Sequence, residues 1–149
     1  MDIADFLTPD RILLDQRVRD KNQLIGEVAR AYGRLAPGLA PESVQTALLA
    51  REQLGSTGLG AGFALPHARI EGLQSYLGLF ARLSKPIDFD AIDGKPVWLV
   101  FVLLIPSENT TPHVAALAAI SRRFRDTTLA TALRDAKTPV EAYAFLTAH

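Results

Sequence analysis

The sequence predicts an α/β sandwich, a central mixed β-sheet flanked by helices, in a single domain spanning residues 1–149. Two stretches, after Asp20 and after Pro41, repeat apolar residues on a helical period. The run Val97–Ile105 is apolar at every position and reads as a strand buried on both faces. With 48% apolar residues in 149, the chain has enough to close one sizeable core.

In chain order, residues 2–7 are expected to form a short helical turn and residues 11–14 a short strand. The first helix starts after Asp20, a good N-cap, and puts Leu24, Ile25, Val28, Ala29 and Tyr32 on one face. Pro37-Gly38 ends it. The second helix takes Pro41 at its first position and turns Val44, Leu48 and Leu49 inward. A glycine-rich loop follows and leads into an extended segment ending at His67. Residues 76–83 read as a strand, Ile87-Asp88-Phe89 as an edge strand, and Asp93-Gly94 as a turn. After Val97–Ile105, the predicted central strand, residues 106–112 form a polar loop. A third helix runs from about Thr111 to Arg125 with Val114, Leu117, Ile120, Ser121 and Phe124 on its period. A fourth covers residues 126–136, and Thr138-Pro139-Val140-Glu141 opens the last as a capping box.

Composition excludes several classes of function. Formal charge is zero without blocks of like sign, so there is no electrostatic footprint for nucleic acid or anionic membrane. Cysteine is absent, which removes disulfides, thiol nucleophiles and thiolate metal sites. Met1–Asp15 has no basic patch followed by a long apolar run, and Val97–Ile105 is about half the ~20 residues a membrane span needs. These features lead us to expect a soluble, cytoplasmic protein.

Chemistry concentrates in residues 51–69, R-E-Q-L-G-S-T-G-L-G-A-G-F-A-L-P-H-A-R. Glycines at 55, 58, 60 and 62 suit tight turns or close approach of the backbone to a ligand. The P-loop pattern is excluded, because no lysine lies in the stretch. The dinucleotide fingerprint needs strand, glycines, helix, and here the order is reversed. His67 is the leading candidate, its approach stiffened by Pro66; the alternative is an idle loop histidine. His113 lies in the first turn of the third helix, where an anion is welcome and the imidazole is pushed toward neutrality; it is otherwise a water-facing polar residue. Arg51 either supplies a fork of N–H donors to an anion or is a solvated residue at the end of its helix, where a cation suits the dipole. Ser56 and Thr57 either donate hydroxyls to an anion, with the N–H groups of Gly58 and Gly60, or serve the turn. Arg69 is a reserve cation, and His149 is a frayed terminal residue. Two histidines without a third ligand at a recognised spacing argue against a metal site, and no G-x-S-x-G elbow supports a hydrolase.

The stretch R-E-x-x-G-S-T-G-x-G-x-G-x-A-x-P-H closely resembles the IIA domains of the bacterial phosphotransferase system, in the fructose/mannitol/nitrogen-regulatory branch. The resemblance extends through Ile87-Asp88-Phe89, Asp93-Gly94-Lys95-Pro96-Val97, the segment F-V-L-L-I-P at 101–106, and His113. F-V-L-L-I-P looks most like the nitrogen-regulatory type. Ala68 stands where glycine is common, and Pro112 precedes His113 where another residue is usual. The resemblance implies that His67 is a phosphoryl acceptor, through Nε2, with Arg51 and His113 as its supporters. It implies no cofactor and no metal. The implied donor is an HPr-like phosphocarrier, and the implied targets include sensor kinases and potassium transport proteins. A sugar-specific role with a separate EIIB as acceptor, and an anion-binding module without transfer, are the alternatives.

Overall fold

The computed structural model describes residues 2–108 and 114–148. Strand β1 (Ile12–Gln16) is followed by helices α1 (Lys21–Leu35) and α2 (Pro41–Leu54). Three short strands come next, β2 (Gly58–Gly60), β3 (Phe63–Ala64) and β4 (His67–Ile70), and then two long ones, β5 (Leu77–Ile87) and β6 (Val97–Pro106). Helices α3 (Val114–Phe124), α4 (Thr127–Asp135) and α5 (Pro139–Thr147) complete the chain.

The strands form one mixed sheet in the order β1-β5-β6-β3-β2, with β4 pairing β6 beyond β3. β1 runs parallel to β5, β5 antiparallel to β6, and both β3 and β4 parallel to β6. Side chains alternate across a strand, and β6 shows why its run is apolar throughout. Val100, Val102 and Leu104 join a cluster with Leu24, Val28 and Tyr32 of α1 and Leu48 of α2. Leu99, Phe101, Leu103 and Ile105 join a second cluster with Ile120 of α3, Leu133 of α4 and Leu146 of α5. The sheet is therefore covered by helices on both faces, as the sequence predicts.

Helix starts follow their caps. Asp20 accepts from the N–H of Gln23 at 2.8 Å, Pro41 opens α2, and Thr138 Oγ1 accepts from the N–H of Glu141 at 3.1 Å. Leu24, Ile25, Val28, Ala29 and Tyr32 are all buried, as are Val44 and Leu48; Leu49 is half-buried. The Tyr32 hydroxyl lies against the carbonyls of Leu77 (2.9 Å) and Val102 (3.2 Å), and burial pushes its pKa well above the ordinary tyrosine value. It remains an O–H donor that ties α1 to β5 and β6.

Four expectations are corrected. The strands predicted at 76–83 and 87–89 are one strand, β5, whose pairing with β6 slips between Arg82 and Ile87. Ser84, Lys85 and Pro86 are exposed there, and Pro86 has no N–H to give a ladder. The extended segment does not end at His67; His67 begins β4, because Ala68 and Ile70 alternate into the core and carry the strand on. Val114 is exposed; Ile120 is buried as expected, with Leu117 and Phe124 packed against the same cluster, and Ala116, four residues before Ile120, joins it. The glycine stretch is not an open loop but a small antiparallel hairpin, β2 to β3. The expected start of the third helix at Thr111–His113 lies outside the described residues.

Arg82, in the middle of β5, is buried and donates to the carbonyls of Leu133 (2.8 Å) and Ala136 (2.6 Å), with Asp15 at 2.9 Å. Carbonyls at a helix C-terminus lack partners within the helix, so this guanidinium fastens the end of α4 to the sheet.

Candidate functional site

The glycine hairpin is shaped by the protein around it. Gly62 has a φ of +82°, and a Cβ there would lie 2.4 Å from Nε1 of Trp98. A Cβ on Gly58 would meet Ala91 at 2.9 Å. The hairpin thus lies directly on the segment between β5 and β6 and on the start of β6, and only residues without a side chain allow that approach. Bonds fix the contact: Ser56 Oγ donates to the Phe89 carbonyl (2.6 Å), Ile92 N–H to the Gly58 carbonyl (3.2 Å), and Ala61 N–H to Asp93 Oδ2 (2.9 Å). Phe124 of α3 stacks on Phe63 with centroids 4.0 Å apart and covers the other side.

What leaves the hairpin is the segment Leu65-Pro66-His67. Leu65 N–H donates to the Thr57 carbonyl (3.0 Å), and the Pro66 carbonyl accepts from Leu103 N–H (3.0 Å). His67 is half-buried in register with Leu103 of β6. Its Nδ1 lies 2.9 Å from the Leu65 carbonyl oxygen. A carbonyl can only accept, so Nδ1 carries the proton in the neutral ring and Nε2 carries the lone pair.

Arg51, in the last turn of α2, and His67 line one depression of about 400 Å³ together with Ala47, Ala50, Leu54 and Arg69. Arg51 uses one N–H on the Gly55 carbonyl at 2.9 Å, which caps α2 and aims the guanidinium group. A guanidinium has five such donors, so capping and anion binding are compatible. Arg69 is two residues beyond His67 on β4 and therefore shares its side of the strand. His113 and His149 lie outside the described residues.

Ser56, Thr57, Gly58 and Gly60 stand apart from this depression. The hydroxyl of Ser56 is bonded to Phe89 and also accepts from Gly58 N–H (3.0 Å), and that of Thr57 donates to Glu52. Of the two readings open for them, their geometry here is that of residues serving the turn. Gly60, with a φ of +99°, turns the hairpin beside Asp93. Glu52 was not singled out in the sequence. Its side chain is 5% exposed, and it binds both Thr57 and Lys21 Nζ, the latter at 3.0 Å. An acid next to Arg51 and five residues before a threonine was visible in the sequence; that all three groups converge was not. Among the described residues, no group of three or more metal-ligating side chains occurs, and no helix is long and apolar enough to cross a membrane.

This α/β fold, with an arginine and a tautomerically fixed histidine beside a glycine hairpin, coincides with one family. Residues 5–149 match the family model described as phosphoenolpyruvate-dependent sugar phosphotransferase system, EIIA 2, and the chain belongs to that family. It is 41% identical over 146 residues to the nitrogen regulatory protein of Bradyrhizobium diazoefficiens, covering 98% of this chain and 95% of that one. It is 37% identical over 141 residues to the nitrogen regulatory protein of Pseudomonas aeruginosa, with 95% and 92% covered. Among solved structures, nitrogen regulatory protein IIA-Ntr from Neisseria meningitidis superposes with a TM-score of 0.90 at 38% identity, covering 97% of this chain and 99% of that one. The mannitol IIA of Escherichia coli shares the fold, with a TM-score of 0.78 at 21% identity over 94% and 98% of the two chains.

Proposed function

We propose that this chain is a cytoplasmic phosphocarrier of the nitrogen-regulatory type. It takes a phosphoryl group onto Nε2 of His67 from the phosphohistidine of an HPr-like protein, and its phosphorylation state controls partner proteins. The observation that carries this reading is the 2.9 Å contact of His67 Nδ1 with the Leu65 carbonyl, because it leaves the lone pair on the other nitrogen.

In the transfer, the Nε2 lone pair attacks phosphorus in line as the donor's N–P bond breaks. The donor ring, protonated on its other nitrogen, leaves with that electron pair as neutral imidazole. Nδ1 keeps its proton on the Leu65 carbonyl throughout, so the two rings exchange roles without a net proton transfer. Negative charge spreads over the three equatorial oxygens, and positioned donors stabilise it. Arg51, in the same depression as His67, is the donor at hand. The family pattern supplies His113 as the second supporter, and supports a metal-independent transfer between chemically similar nitrogens.

Incubation with phosphoenolpyruvate, the general phosphotransferase enzyme and an HPr-type carrier, followed by intact mass, tests the proposal. One acid-labile phosphoryl group is expected on the wild type and none on His67→Ala. Arg51→Ala is expected to accept about a hundredfold more slowly, the loss typical of one transition-state donor. Acceptance by His67→Ala, or none by the wild type, overturns the reading; the latter favours an anion-binding module. Passage of the phosphoryl group onward to a separate EIIB would mark a sugar-specific role instead.

A further inference from the structure

We propose that Glu52 is a positioning residue for His67, acting through Thr57 and Leu65. Its rate effect rests on the carrier reading above; its effect on the imidazole does not.

A carboxylate only 5% exposed needs partners that replace its water. Glu52 has two sets. On one side, Lys21 Nζ lies 3.0 Å from Oε2 and 4.4 Å from the centre of the Phe89 ring. On the other, Thr57 turns both its N–H (3.2 Å to Oε2) and its hydroxyl (to Oε1) onto the same carboxylate. Thr57 is itself 3% exposed and has little room to move. Its orientation is thus set by Glu52, and its carbonyl, facing the other way, accepts from Leu65 N–H at 3.0 Å. The Leu65 carbonyl then receives the proton on His67 Nδ1 at 2.9 Å. A continuous line of bonded groups therefore runs from the start of α1, through the end of α2 and the hairpin, to the imidazole.

That line bears on chemistry because imidazole side chains in water favour the opposite tautomer, with the proton on Nε2. The protein must hold an acceptor within hydrogen-bond reach of Nδ1 to reverse this preference, and such bonds weaken steeply as distance and angle drift. Pro66, between Leu65 and His67, fixes its own φ and holds Leu65 in the extended range, and within that range the bonds on either side set the Leu65 carbonyl. Glu52 does not line the depression. Its influence on the reaction is the lone pair it keeps on Nε2.

The experiment compares wild type, Glu52→Ala, Glu52→Gln and Thr57→Val, each labelled with ¹⁵N-histidine, with the His67 signals assigned against His67→Ala. Imidazole ¹⁵N shifts of the neutral ring report the tautomer without any donor protein, and initial rates of phosphoryl acceptance are measured in parallel. The wild type is expected to hold the proton on Nδ1. Glu52→Ala is expected to give a tautomer mixture and to accept about tenfold more slowly, the scale of a modest misplacement of a reacting group. Glu52→Gln keeps an oxygen for Thr57 and is expected to restore the tautomer and most of the rate. Should Glu52→Ala fail to fold, the near-isosteric Thr57→Val, which removes only the hydroxyl bond, decides by the same shift toward a mixture. A folded Glu52→Ala or Thr57→Val with the wild-type tautomer overturns the proposal, as does a Glu52→Gln that matches Glu52→Ala. If the tautomer shifts as expected while the wild type accepts no phosphoryl group, the positioning stands and the carrier reading falls.

Discussion

Asp93 shows how much one exposed side chain settles at this site. Its two oxygens accept backbone N–H groups from both directions, Ala61 at 2.9 Å on Oδ2 and Lys95 at 3.0 Å on Oδ1. The bond from Ala61, then the bond from Lys95, hold its pKa below the ordinary aspartate value by favouring the charged form. A carboxyl group whose folded pKa lies below its unfolded one stabilises the fold above the unfolded value, and that contribution is lost as pH falls through the folded value. The hairpin tip should therefore loosen only in acid more extreme than an ordinary aspartate requires. Amide shifts of Ala61 and Lys95 followed against pH should titrate together with a midpoint below the usual aspartate value. Asp93→Asn should abolish the titration, and a midpoint at or above the usual value would contradict this account. In the sequence Asp93 was legible as half of an Asp-Gly turn and as part of the family resemblance; its hold on Ala61, 32 residues earlier, belongs to the tertiary structure.

At the level of elements, helices were more legible than the hairpin, and the reason is locality. Asp20, Pro41 and Thr138 act on groups within four residues of themselves, so a one-dimensional reading finds them. The glycines act on Ala91 and Trp98, about 35 residues away, and their density alone suggested an anion cradle. The two causes of a glycine can be separated by experiment. Gly62 and Gly72 have nearly the same φ, +82° and +84°, but a Cβ on Gly62 would collide with the Trp98 ring and one on Gly72 would meet nothing within 4 Å. Gly72→Ala should cost about 1 kcal/mol, the left-handed backbone penalty alone. Gly62→Ala should cost about 3 kcal/mol, because overpacking adds to that penalty. Denaturant unfolding measures both. Trp98 is the only tryptophan, so a change in its native emission should accompany Gly62→Ala and not Gly72→Ala. Equal costs would mean that the Trp98 ring swings aside freely and that contact with it does not dictate the glycine. The same long reach explains β5: its two apolar ends were read as separate strands because only the antiparallel partner β6 shows that they lie on one line across an exposed irregularity at Ser84–Pro86.

For the whole molecule, the position of β6 organises both stability and function. It lies between the two apolar clusters and pairs with β4, which holds His67 in register with Leu103. Its apolar run and the R-E-x-x-G-S-T-G-x-G-x-G-x-A-x-P-H stretch were both plain in the sequence, so the fold class and the leading histidine were legible together. The support beneath that histidine, Glu52 and Lys21, was not, because it joins two helices and a hairpin through space. The protein has a formal charge of zero. On the carrier reading, phosphorylation adds about −1.5 to −2 charges at neutral pH. Against a neutral background, that is the entire net charge of the protein, and a partner bearing carboxylates opposite His67 would be repelled by it. Such discrimination is electrostatic and exposed, so it should weaken as the Debye length shrinks from about 10 Å at 0.1 M salt to about 3 Å at 1 M. The ratio of affinities for the unphosphorylated and phosphorylated forms, measured with one partner across that salt range, should fall toward one. A ratio that holds at 1 M salt would instead require the phosphoryl group to change the packing around His67, since screening leaves short contacts and buried bonds intact.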